Sequence, residues 1–163
     1  MTPLLTKFSP LLPQHYESLC SHIKKLSDDD RLQLFGAQLS KEAIEVWVKN
    51  IQWDQTQLFG AWLLDKFNRE SELIGILQLE PMNRIGTYEL SISVLPLFRK
   101  QGIATSMLAT LMRIKLKNPI EQLIAFNGHL ALVSIINSIG LEAYFSTNNS
   151  KVSIPWQQSS NTD

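Results

Sequence analysis

The spacing of hydrophobic positions changes several times along the chain, and each change marks an element. Leu4 to Leu12 is apolar but punctuated by Pro3, Pro10 and Pro13, which permits at most an edge strand. From Pro13 the apolar positions Tyr16, Leu19, Cys20, Ile23 and Leu26 recur at helical intervals. Asp28-Asp29-Asp30 and Arg31 end or restart that helix. A solvated turn capping the next helix accounts for the three aspartates better than a metal site, because no further ligands follow at a recognisable spacing. Ser40 then serves as the N-cap of a helix whose apolar face is Ile44, Val46, Trp47 and Ile51.

Past this point the period shortens to that of strands. Gln57 to Lys66 and Ser71 to Met82 predict a hairpin around the polar turn 67–71. Thr87 to Val94 alternates strictly: Tyr88, Leu90, Ile92 and Val94 face one way, and Thr87, Glu89, Ser91 and Ser93 the other. Pro96 stops this strand, and Gly102 to Lys117 follows as a helix. Gln122 to Phe126 predicts a buried strand and Leu130 to Ser138 a buried helix closed by Gly140. Leu141 to Phe145 and Val152 to Trp156 predict a closing hairpin, and the tail 157–163 is polar and expected to be disordered.

The expected order is therefore strand, two helices, three meander strands, helix, strand, helix, two strands. A helical crossover from Val94 to Gln122 makes those two strands parallel neighbours in one sheet. The expectation is a single α/β domain over 1–156, with a mixed sheet and helices on both faces.

Composition narrows the function classes. Fifteen Lys+Arg balance fifteen Asp+Glu among 163 residues, which argues against a large polyanionic partner such as nucleic acid. Cys20 is the single cysteine, so no internal disulfide and no thiolate zinc site can form; packing is its expected role. The apolar run at the N-terminus is too short for a signal peptide, and no stretch approaches the roughly 18 apolar residues that span a bilayer. A cytoplasmic location with no membrane partner is the expectation. Trp47, Trp53, Trp62 and Trp156 are expected to pack in the core or at its rim.

Candidate chemistry concentrates between Val94 and Leu108, where a strand ends at a proline, a basic loop follows and Gly102 opens a helix. First-turn amides of a helix lack internal partners and sit at the positive end of its dipole, so they bind anions. Gly102 and Ala104 keep the loop clear for a close backbone approach; Arg99 and Lys100 add charge at the rim, and Thr105 and Ser106 offer hydroxyls. An ordinary crossover with solvated basic residues is the competing explanation. The loop is neither a Walker A loop nor a dinucleotide fingerprint.

The run Val94-x-Pro96-x-Phe98-Arg99-x-x-Gly102-Ile103-Ala104 resembles the pyrophosphate loop Arg/Gln-x-x-Gly-x-Gly/Ala of the GNAT superfamily of N-acetyltransferases, and the element order resembles that fold over nearly the whole chain. Asp30 to Phe35 and the helix from Ser40 look, less specifically, like the N-terminal region of GNATs related to bacterial protein-lysine acetyltransferases. The resemblance implies acetyl-CoA as co-substrate, no metal, and transfer of acetyl to an amine on a small molecule or protein. A homodimer is compatible with it. It also implies that backbone amides from Gln101 to Ser106 hold the pyrophosphate, that Ile92, Ser93 and Val94 line the pantetheine, and that the parallel strands splay after Val94.

Two departures qualify that picture. The family's usual Asn and its acid Tyr map to His129 and Ile136, and Ile136 cannot donate a proton. His129, Tyr144 or water would have to replace it, with helix capping the competing role for His129. A module that binds acyl-CoA with little transfer is the alternative this leaves open. Glu89 is the candidate base, raised in pKa if shielded, and an ion pair with a nearby Lys or Arg is its alternative role.

Overall fold

Two sets of apolar side chains, one on each face of a single sheet, organise the computed structural model, which describes residues 4–126, 130–148 and 150–158. In chain order its elements are β1 (Thr6–Pro10), α1 (Tyr16–Lys25), α2 (Asp28–Phe35), α3 (Lys41–Lys49), β2 (Gln57–Leu64), β3 (Glu70–Pro81), β4 (Thr87–Val94), α4 (Ile103–Arg113), β5 (Gln122–Phe126), α5 (Leu130–Ser138), β6 (Tyr144–Phe145) and β7 (Lys151–Pro155). The seven strands form one sheet in the order β1-β2-β3-β4-β5-β7-β6. Among the described residues only β4 and β5 pair in parallel; every other pairing is antiparallel. The crossover expectation is met: α4 carries the chain from β4 to β5.

One face of the sheet buries Ile74, Leu77, Leu79, Tyr88 and Leu90 against Met107, Leu108 and Leu111 of α4 and Ile136 of α5. On the other face Leu58, Trp62, Leu73 and Ile76 lie under Leu19, Cys20 and Ile23 of α1 and Ile44 and Val48 of α3. Cys20, Trp62 and Trp156 are buried packing residues. Among the described residues no helix is long and apolar enough to cross a membrane.

The sequence pattern misplaces a few boundaries, for physical reasons. Asp28–Phe35 is a helix of its own, an element absent from the expected order. It buries no residue and shows no apolar stripe; its end groups make it. Ser27 accepts from the Asp30 amide at 3.1 Å, Asp30 reciprocates, and Gly36 at φ 69° closes the C-terminus. The helix expected to reach Lys117 ends at Arg113, where Gln158 donates to the carbonyls of Leu111, at 3.2 Å, and Ile114. Thus Gln158 of the expected disordered tail is bound to the C-terminal end of α4, and 159–163 fall outside the described residues. The strand expected from Leu141 shortens to Tyr144–Phe145, since Leu141 and Gly140 are spent closing α5 through bonds to the carbonyls of Ile136 and Asn137.

A buried histidine ties α1 to the sheet. His22 is 1% exposed, with Nδ1 2.8 Å from the Leu73 carbonyl and Nε2 2.9 Å from Ser93 Oγ. A carbonyl can only accept, so Nδ1 carries the proton and the Ser93 hydroxyl donates to Nε2. Burial pushes the His22 pKa down to about 4. The native state therefore favours the neutral ring, while the unfolded chain takes up a proton near pH 6.5. This contribution is complete above about pH 6.5 and is lost as pH falls towards 4; the shift corresponds to about 3 kcal/mol. Urea titrations between pH 7.5 and 4.5 should show this loss in the wild type and a much flatter profile in His22→Gln; equal slopes would show that His22 is not its source.

Candidate functional site

The ladder between β4 and β5 is short. It pairs Thr87 with Gln122, Tyr88 with Leu123 and Glu89 with Ile124, and then stops. On its other side β4 stays paired to β3 as far as Val94 opposite Gly75. The strands therefore part after Glu89, five residues earlier than the expected opening after Val94. This correction follows from β5, whose last residue is Phe126, and which pairs to that end only with β7. Among the described residues no strand pairs with the β5-facing backbone edge of Leu90–Val94, and Glu89 stands at the mouth of the opening.

At the end of this edge the chain turns through a one-turn 3-10 helix, Pro96–Phe98, into the loop before α4. Lys100 and Gly102 both have positive φ, 60° and 79°. Glycine adopts this conformation without strain, and at Gly102 a Cβ would meet no atom within 4 Å, so space lies open over the backbone. The first bond into α4 runs from the Ser106 amide to the Gly102 carbonyl at 2.9 Å, and among the described residues no backbone acceptor takes the amides of residues 101–105. Unpaired donors and the positive end of the α4 dipole thus converge where the sequence expects an anion. Gln101 donates its side-chain amide to the Leu97 carbonyl at 3.2 Å, and Ile103 is buried beneath the turn while Ala104, Thr105 and Ser106 follow on α4.

Arg99 is differently employed. Its Nε donates to the Val94 carbonyl at 3.0 Å and a terminal nitrogen pairs with Asp30 at 2.7 Å. It therefore bridges the end of β4 to the first turn of α2 rather than standing free at the loop rim. Asp30 is held below the ordinary carboxylate range by hydrogen bonds from Arg99 and Ser27 that outweigh its partial burial. Ile92 and Val94 pack towards the α4 side of the sheet, and Ser93 is bound to His22 on the opposite side.

The face of β3 and β4 turned towards α2 and α3 contains a cavity of about 200 Å³. Its floor is Gln78, Glu80, Glu89 and Ser91; Leu34, Phe35 and Trp47 form its walls. Phe35 and Trp47 meet edge to face with centroids 5.0 Å apart. Glu80 and Glu89 are directly opposed across the strand pair. The Thr56 hydroxyl donates to Glu80 Oε2 at 2.7 Å and the Gln78 amide at 3.2 Å. Among the described residues no cation pairs with Glu89, so the alternative role of an ion-paired glutamate is not seen. Burial, followed by the charge of Glu80, raises the Glu89 pKa.

A second cavity of about 440 Å³ is lined by residues 8–13, 53, 56–59 and 114–117. It adjoins the C-terminal end of α4, roughly 16 Å along the helix from Gly102, so it is not the anion end.

The remaining candidates do not join the cavity. Tyr144 is on β6, the sheet edge beyond β5 and β7, and its hydroxyl donates to Glu142. Ile136 is fully buried in the core. His129 lies outside the described residues, and no metal-binding group of His, Cys, Asp or Glu occurs among those described. Sequence reasoning missed Glu80, Gln78, Phe35 and His22. The polar alternation Gln78, Glu80 against Leu77, Leu79 was a legible signal; the partners of His22 and Phe35 were not encoded locally.

A family model for the acetyltransferase (GNAT) domain matches residues 7–150. No curated protein matches the chain. Solved structures do. The GNAT domain of an S. lividans protein, PAT, superposes with a TM-score of 0.68 at 14% identity, covering 93% of this chain and 89% of that one. An acetyltransferase from Thermus thermophilus gives 0.67 at 13%, covering 96% and 100%. The PaiA N-acetyltransferase of Thermoplasma acidophilum, solved in complex with coenzyme A, gives 0.60 at 15%, covering 94% and 100%. At these identities the structures speak for the fold, and the family model, spanning most of the sequence, for the family. The chain belongs to the GNAT acetyltransferases, as an N-acetyltransferase with that fold.

Proposed function

We propose that the protein transfers the acetyl group of acetyl-CoA directly to an amine that enters through the cavity beside Glu89. The observation that supports this most is the opening of β4 from β5 immediately beyond Glu89, on a strand that leads into the unpaired amides of α4. Amides from Gln101 to Ser106 would hold the pyrophosphate, with Lys100 and the hydroxyls of Thr105 and Ser106 at its margin. The uncovered edge at Ile92, Ser93 and Val94 would pair with amide groups of the pantetheine arm. Arg99 acts here by fixing Val94, since its guanidinium is already committed to Asp30 and the strand end.

Glu89 takes the proton. An acceptor amine is protonated at neutral pH and must lose a proton to attack the thioester carbonyl, and a carboxylate of raised pKa suits that task. A carbon–nitrogen bond forms, the carbon–sulfur bond breaks, and the second proton that the nitrogen sheds on becoming an amide passes to solvent. Ile136 offers no proton to the departing thiolate. A thiol has an ordinary pKa of about 8.5, so its thiolate can leave near neutral pH and be protonated by water. That disposes of the need for Tyr144, which stands on a distant strand.

Two variants test this reading. Gly102→Glu puts a carboxylate where the pyrophosphate would lie; calorimetry with acetyl-CoA should show binding weakened tenfold or more with the circular dichroism unchanged, and undiminished binding would reject the loop. Glu89→Gln should lower kcat about 100-fold while the KM for acetyl-CoA holds. In the wild type, activity should fall as pH drops through the raised Glu89 pKa, because protonation removes the base. An unchanged rate and pH profile in Glu89→Gln would remove Glu89 from the mechanism.

A further inference from the structure

Half of the described acids outside the cavity are ion-paired. Glu45, Glu70, Glu72, Asp28, Asp30 and Asp65 each meet a lysine or arginine. Glu80 and Glu89 do not, although they are cross-strand neighbours, an arrangement in which like charges repel. The Thr56 hydroxyl and Gln78 amide bound to Glu80 are neutral donors: they fix the carboxylate in place without cancelling its charge. Thr56 is itself buried, so Glu80 is held from beneath. Both carboxylates line the same half-open cavity, whose other walls are apolar or aromatic: Leu34 and Phe35 from α2, Trp47 from α3.

This is a site short of one cation. Aromatic faces add to the attraction for an ammonium group, and carboxylates desolvated on one side gain more from it than exposed ones do. The volume, about 200 Å³, is modestly larger than the roughly 150 Å³ that accommodates benzene, so a compact apolar stem fills it.

Building on the transferase reading, we propose that Glu80 is the specificity-determining residue of the acceptor pocket: its fixed charge admits a compact amine on an apolar stem and turns away amines bearing a carboxylate beside the nitrogen. The two glutamates then divide the work. Glu80, hydrogen-bonded and fixed, orients the incoming ammonium; Glu89, without a hydrogen-bond donor among the described residues, accepts its proton. A free α-amino acid would bring its own carboxylate against Glu80 and Glu89, with no cation of the pocket to receive it. Among the described residues no other titratable group lines this cavity: α2 and α3 present Leu34, Phe35 and Trp47, and the strands add Gln78 and Ser91.

The test compares isopentylamine, leucinamide and leucine, which share a stem and differ at one substituent, as acceptors for wild type and Glu80→Gln. Wild type should prefer isopentylamine to leucine at least 100-fold in kcat/KM, with leucinamide between them. Glu80→Gln, nearly isosteric, should shrink that preference at least tenfold through the acceptor KM, leave the KM for acetyl-CoA unchanged and shift the acid limb of the pH profile downward as Glu89 loses its charged neighbour. A purely structural role for Glu80 would not move that limb. Equal use of leucine and isopentylamine by wild type, or an undiminished preference in Glu80→Gln, overturns the proposal while leaving the transferase reading intact. If acetyl-CoA binds but no amine is acetylated, the transferase reading fails, and calorimetry with isopentylammonium and with leucine on the resting protein still decides this one. Preferential binding of isopentylammonium, weakened tenfold in Glu80→Gln, supports it; no binding, or equal binding to both proteins, overturns it.

Discussion

Everything at the site depends on where a parallel ladder ends. Two parallel strands joined by a helical crossover would ordinarily pair along their common length, satisfying each other's backbone groups. Here the pairing covers three residues of β4 and stops at Glu89. The exposed edge would be a liability in a sheet interior unless something else pairs with it, and an extended amide-bearing ligand has the right chemistry to do so. The gap between these strands is thus a built opening, and it places a carboxylate, an uncovered strand edge and a helix N-terminus in sequence along one path.

An opening of this kind needs its rim held from other directions, and four contacts do that. β3 keeps β4 in register to Val94, and the Leu95 amide donates to the Ile74 carbonyl at 2.9 Å. His22 bridges the Leu73 carbonyl and the Ser93 hydroxyl from α1, and Arg99 joins the Val94 carbonyl to Asp30 at the start of α2. Two of the four, those of His22 and Arg99, work through side chains, and they tie the strand to α1 and α2. The consequence is mechanical: the helices that wall the cavity beside Glu89 and the strand edge that would meet the cofactor share their fastenings. A change at Asp30 would therefore be felt on both sides of the sheet.

Much of this architecture was legible because it follows from local periodicity. The boundaries of Thr87–Val94, Gln122–Phe126 and Leu130–Ser138 coincide with the observed elements, since each is bracketed by proline, glycine or polar turns. The loop at Gly102 was legible for the same reason. The point of strand separation was not, because the length of a ladder is set by two distant segments and their packing rather than by either sequence alone. Helix α2 escaped notice because capping and a run of aspartates make it, without an apolar stripe to announce it. The sequence places the charge of Arg99 at the loop rim without showing its partner, because Asp30 lies in a separate element and pairing across elements has no signature in spacing.

That pairing changes the meaning of the chain's electrical neutrality. With equal numbers of acids and bases, anion binding could have relied on a local excess of basic side chains. Instead the arginine of the loop is neutralised by Asp30, and the donors left at the α4 N-terminus are backbone amides whose positive potential comes from geometry. On the opposite face of the sheet the imbalance runs the other way, with Glu80 and Glu89 carrying charge that no cation of the described chain offsets. A neutral protein thus separates a positive backbone cradle from a negative side-chain pocket by the thickness of one sheet, with the gap after Glu89 joining them. The potential runs in the direction that would draw an anionic cofactor to one side and, under the proposed function, a cationic acceptor to the other, so that the two reactants would be sorted before they meet at the thioester.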